Sequence, residues 1–150
     1  MEAEIMEHKL SPHEKAACTD KWAETMTKWL ITFTNRKLSK QRWQIVSFRG
    51  PNKGESRGIV DIIAIRKNHK YHSKTLKIGD LFEIVLIQVK GGRARDPSED
   101  DKKRMLEVGK YYHAKCCILS RWKRRELQSV SLLDESSLKW NKIEPEEIFK

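Results

Sequence analysis

The stretch that most constrains this chain is Leu81-Phe82-Glu83-Ile84-Val85-Leu86-Ile87-Gln88-Val89-Lys90-Gly91-Gly92. Its body is apolar, β-branched and aromatic, with Gly79-Asp80 before it and two glycines after it, the pattern of a strand covered on both faces. Such a strand should stay apolar to its end, yet this one closes on Gln88 and Lys90. Residues two apart project to one face, so an amide and an ammonium stand side by side at the rim of a core. A strand that has merely reached solvent gives the same pattern; the preceding apolar run separates the two readings. Gly58-Ile59-Val60-Asp61-Ile62-Ile63-Ala64-Ile65-Arg66 is broken in its middle only by Asp61. A lone carboxylate there requires a partner or a metal. A hairpin through the polar segment 67–80 brings Asp61 opposite Gln88 and Lys90. Carboxylate and amide oxygens suit a hard cation such as Mg²⁺. An adjacent lysine orients or deprotonates a water that such an ion acidifies.

Asp61 on one strand followed by Gln88-Val89-Lys90 on the next resembles the PD-(D/E)xK nuclease superfamily, in which an Asp is followed by an acid, any residue and Lys. This chain departs from the usual pattern in having Gln88 where an acid is commoner, a position at which some restriction-like members also carry Gln. The resemblance covers the element order from about residue 14 to 133 and about ten residues of motif. It implies a restriction-endonuclease-like α/β core, a mixed central sheet of about five strands flanked by helices in the order αβββαββ. It is similar in compactness to the archaeal Holliday-junction resolvases. It further implies a Mg²⁺ site, with Mn²⁺ able to substitute, held by Asp61, Gln88 and the Val89 carbonyl, and a catalytic set of Asp61, Gln88, Lys90 and a glutamate of the first helix. A homodimer is implied by the same analogy.

Charge points the same way. Lys and Arg number 31 against 21 Asp and Glu, a net charge of +10, and 35% of residues are charged. A balance that basic favours a polyanion, and nucleic acid is the commonest; DNA is the expected partner and RNA the second candidate. There is no apolar run near the ~18 residues of a membrane span and no signal-like N-terminus, so a soluble intracellular protein without a membrane partner is expected. Cys18, Cys116 and Cys117 lack metal-ligand spacing and read as reduced structural thiols, the last two on opposite faces of a strand.

Segment 1–12 reads as a frayed N-terminus and 13–150 as one domain. Ser11-Pro12 followed by Glu14 marks a helix start. Trp22, Met26, Trp29, Leu30 and Phe33 recur at helical spacing and predict the face packed on the core. On that register Glu24 points to water, while Glu14 lies on the flank beside the small Ala17 and Cys18, so Glu14 is the predicted helix ligand; the alternative is a capping carboxylate.

Residues 43–48 alternate as a half-buried strand, and 49–58 form a Gly/Pro loop over the site. Ser56 and Arg57 in it are candidate phosphate contacts, as are Lys70 in the hairpin, Arg93 and Arg95 in the glycine turn, and Arg121, Lys123 and Arg124 in a charged turn with Trp122. A solvated charged surface is the alternative for each. A second helix from the acids at 96–101 to about 113, strands at 115–120 and 127–133, and a short helix opening at Pro145 complete the pattern. The expected activity is divalent-metal-dependent endonucleolytic hydrolysis of DNA phosphodiesters, selective for branched structure if the resolvase likeness extends that far. The alternative is a non-catalytic nucleic-acid-binding module on the same fold.

Overall fold

The structure, a computed structural model, describes residues 9–38, 41–48, 57–123 and 125–150, without the side chains of 17, 37 and 38. Helix α1 spans Pro12–Leu38; strands β1 (Gln44–Ser47), β2 (Ile62–Lys67) and β3 (Phe82–Gly91) follow; then come helix α2 (Glu99–Tyr111), strands β4 (Cys116–Trp122), β5 (Ser129–Leu133) and β6 (Trp140–Ile143), and helix α3 (Glu146–Phe149). The strands form one six-stranded sheet in chain order. Only β3 and β4 pair in parallel, because α2 carries the chain back between them; every other neighbouring pair is antiparallel. Where about five strands are expected there are six. β6 escapes the sequence reading because Asn141 and Lys142 are exposed on an edge strand, where polar side chains blunt the edge.

β3 is the centre. Val85, Leu86, Ile87 and Gln88 are buried in succession, so both of its faces are covered. Val85 and Ile87 join Ile31 of α1, Ile62, Ala64, Ile118 and Phe149 in one core. Leu86 joins Met105 of α2, Cys117 and Leu133 in a second core across the sheet. Cys116 packs against the first and Cys117 belongs to the second, the alternation a strand requires. α2 starts at Ser98 with a reciprocal capping box to Asp101, which satisfies two of the N–H groups a helix start leaves unpaired.

α1 is turned differently from its hydrophobic pattern. Trp22, Trp29 and Phe33 are 43%, 53% and 50% exposed, whereas Ala23, Glu24, Thr27, Ile31, Thr34 and Asn35 are buried. The inward face is tolerable because its polar groups are paired. Thr27 Oγ1 donates to the Ala23 carbonyl at 2.7 Å and lies 2.8 Å from Ser120 Oγ. Its one proton being committed, Thr27 accepts from Ser120, and Ser120 in turn accepts from Gln128 Nε2 at 3.0 Å. Small residues also set the approach: a Cβ on Gly91 would lie 3.0 Å from Ala23 Cβ and 3.1 Å from the Thr19 carbonyl. The helix is thus seated directly on the end of β3.

Candidate metal centre at the end of β2 and β3

β2 and β3 pair with Ile62 opposite Ile87 and Ile63 opposite Leu86. Asp61 precedes the first paired residue and leaves the ladder. Its N–H donates to the Ile87 carbonyl on one side at 3.0 Å, while its C=O accepts from Phe48 N–H on the other at 3.1 Å. In a regular strand both groups of one residue point the same way, so the chain bends here. The Asp61 carboxylate then takes the role of a strand carbonyl, Oδ2 accepting Val89 N–H at 2.8 Å. The donor is the peptide group joining Gln88 to Val89, so the Asp61 side chain is anchored to the backbone of β3 beside Gln88.

Gln88 is 6% exposed, and its Oε1 is buried without a hydrogen-bond donor among the described residues. An unsatisfied buried carbonyl costs on the order of 1–3 kcal/mol and in a native fold calls for an explanation. Lys90, two residues on, is half-buried and forms no ion pair or hydrogen bond with a described residue.

The helix carboxylate that reaches this end of the sheet is Glu24, not Glu14. Glu14 is exposed and accepts Ser11 N–H at 2.7 Å while Ser11 Oγ accepts Glu14 N–H at 3.2 Å; these bonds hold its carboxyl below the usual range. It is a capping residue. Glu24 is 8% exposed. Ser47 Oγ donates to its Oε1, and Lys28 Nζ lies 3.1 Å from the same oxygen. Ser47 pairs with Ile62 and Ala23 beside Glu24 faces Gly91, so Glu24 lies on the α1 face of the sheet with Ile62 and Ile87. The opposite expectation fails because it placed the aromatic stripe inward; once those rings face solvent, Glu24 faces the sheet. Gln88 is two residues beyond Leu86 and shares its face, the α2 side of the sheet, whereas Glu24 lies on the α1 side, so the sheet separates them. The Asp61 carboxylate and an amide oxygen without a described donor suit a hard cation, and no three His, Cys, Asp or Glu side chains cluster among the described residues.

The candidate phosphate contacts divide. Arg57, Arg93 and Arg95 are exposed on the segments flanking Asp61 and Lys90. Lys123 is exposed just beyond β4, at the same sheet end, with Glu126 3.9 Å away. Arg121 is committed elsewhere: it pairs with Asp96 and donates to the Ala94 carbonyl at 3.1 Å, fastening the turn after β3. Lys70 lies in the β2–β3 connection, at the far end of β2 from Asp61, on the order of 20 Å away along a six-residue strand, so it cannot touch the same phosphate. Ser56 and Arg124 lie outside the described residues.

What the fold defines is an α/β protein with a mixed six-stranded sheet. No protein-family model, curated protein or solved structure matches the chain. No described helix is long and apolar enough to cross a membrane.

Proposed function

We propose that this protein is a Mg²⁺-dependent endonuclease acting on DNA, with a restriction-endonuclease-like core and a site formed by Asp61, Gln88 and Lys90. The observation that carries the reading is the buried Gln88 Oε1 left without a donor next to the peptide N–H that Asp61 binds. A divalent cation supplies the missing partner. Asp61, Gln88 and the Val89 carbonyl would hold the ion, which when bound supplies acidification of water and charge neutralisation at the phosphate. Lys90, without an acidic partner among the described residues, positions the attacking water or offsets charge on the phosphoryl oxygens. Arg57, Arg93 and Arg95 hold the backbone of the incoming strand.

The test is cleavage of supercoiled plasmid and four-way-junction DNA in Mg²⁺ or Mn²⁺ by the parent, Asp61→Ala and Lys90→Ala. The reading requires loss with EDTA and with either substitution; unchanged cleavage overturns it.

A second reading is a non-catalytic nucleic-acid-binding module, favoured by the amide at position 88 and the absence of a three-ligand acidic cluster among the described residues. It predicts salt-sensitive binding without divalent-ion dependence. Neutralising about six phosphates gives a slope near −5 in log affinity against log salt, with no cleavage of any substrate.

A further inference from the structure

Trp29 and Phe33 stack on each other on the solvent side of α1, ring centroids 5.1 Å apart and planes inclined by 15°. Both are half exposed among the described residues. Arg36 continues the same stripe, since residues at i, i+4 and i+7 share one helix face. Arg36 also lines a groove of about 250 Å³ together with Thr32, Asn35, Arg42 and Trp43.

The groove is built, not incidental. The buried Asn35 fixes its corner: Nδ2 donates to the Gln41 carbonyl at 2.7 Å, and Oδ1 accepts Trp43 N–H at 3.0 Å. This sets Arg42 and Trp43 against the C-terminal part of α1. Neither Arg36 nor Arg42 has an ion-pair partner among the described residues, and no described acid lines the groove. Two guanidinium groups without a described ion-pair partner and the Thr32 hydroxyl form an anion site, and a stacked aromatic pair leads into it.

We infer that the Trp29–Phe33 pair and the Arg36/Arg42 groove together form a binding platform for single-stranded nucleic acid, a base stacking on the aromatic pair and a phosphate seated between the arginines. Stacked bases on aromatic side chains beside a positive groove are how sequence-tolerant single-strand binding works, and planar guanidinium groups match phosphate oxygens. A second copy of the chain is the competing occupant. A two-fold contact sets a patch against itself, bringing Arg36 and Arg42 toward their own copies in a chain of net charge +10, so repulsion opposes it. The platform lies on the side of α1 away from Glu24 and stands whether or not the metal site is catalytic.

The experiment is anisotropy of a fluorescein-labelled oligothymidylate in EDTA, with sedimentation of the free protein alongside. Trp29→Ala/Phe33→Ala should weaken single-strand binding about tenfold or more while blunt-duplex affinity holds, and Trp29→Tyr should retain binding. Arg36→Ala/Arg42→Ala should lower the salt slope by about one to two. Unchanged single-strand affinity in both double variants overturns the inference. So does a parent dimer that the aromatic variant converts to monomer, which assigns the face to a second copy. Circular dichroism, with Trp29→Tyr as the conservative variant, separates lost binding from lost folding.

Discussion

The Asp61 carboxylate accepts the Val89 backbone N–H at 2.8 Å, so the side chain that ends the β2–β3 ladder also clamps the strand segment carrying Gln88. The same bend turns the Asp61 N–H and C=O toward opposite neighbours. One residue thereby joins β1, β2 and β3 where the polar groups gather, and its replacement acts on structure as well as on charge. Asp61→Asn keeps a side-chain acceptor for Val89 while removing the charge. It should preserve the urea midpoint better than Asp61→Ala and still abolish divalent-ion binding by calorimetry.

Gln88→Leu replaces a buried amide by an apolar side chain of similar volume. Because Oε1 has no donor among the described residues, removing it should raise stability in EDTA by about 1 kcal/mol. In Mg²⁺ the advantage should shrink or reverse, since only the parent gains from an ion bound to the native state. Urea denaturation with and without Mg²⁺ measures both.

Glu24 and Glu14 separate by burial. Glu24→Gln weakens the bonds of a buried carboxylate to Ser47 and Lys28 and should cost about 1–3 kcal/mol of stability. Glu14→Gln should leave the rate unchanged and loosen only the start of α1. Glu14 is held below the usual carboxylate range by its bonds to Ser11. Its stabilising effect is therefore present above the ordinary carboxylate pKa and is lost as pH falls through the lowered value. Urea denaturation for Glu24→Gln, and amide exchange near residue 15 across acidic pH for Glu14→Gln, check the two halves.

How much of this was readable beforehand depends on the element. β3 announced itself because burial on both faces leaves an unbroken apolar run, and Asp61 and Gln88 stood out as interruptions. Their adjacency followed from the hairpin. α1 misled because Trp29 and Phe33 of its apolar period are half exposed while only Leu30 of it packs on the core, whereas the seated face mixes Ala23 and Ile31 with Thr27, Thr34 and Asn35. Those polar residues are tolerated through partners distant in sequence, Ser120 for Thr27 and the turn before β1 for Asn35. No helical period records such partners. The pairing of Arg121 with Asp96 was hidden for the same reason.

That buried polar chain is itself testable. Ser120→Ala leaves the Gln128 amide without its acceptor and Thr27 without a donor, and should cost about 1–3 kcal/mol. Ser120→Thr keeps the hydroxyl and separates the lost bond from a steric effect. Denaturant unfolding reports the difference.

Burial pushes the Cys116 and Cys117 thiols up to about 12 and about 11, while Cys18 is exposed. One of the three thiols should therefore react quickly with a disulfide reagent at mildly alkaline pH, the others only on unfolding. Unfolded thiols ionise near 8.5, so the fold's preference for the protonated form is fully expressed below that pH. It is lost as pH rises from there toward the raised native values, and the urea midpoint should fall over that window.

The central claim is tested most directly by crystals of the protein soaked in Mn²⁺ and measured at the manganese edge. The account predicts an anomalous peak within coordination distance of Asp61 and Gln88 Oε1 that disappears in Asp61→Ala. No peak there, at Mn²⁺ concentrations that would saturate a nuclease site, contradicts it.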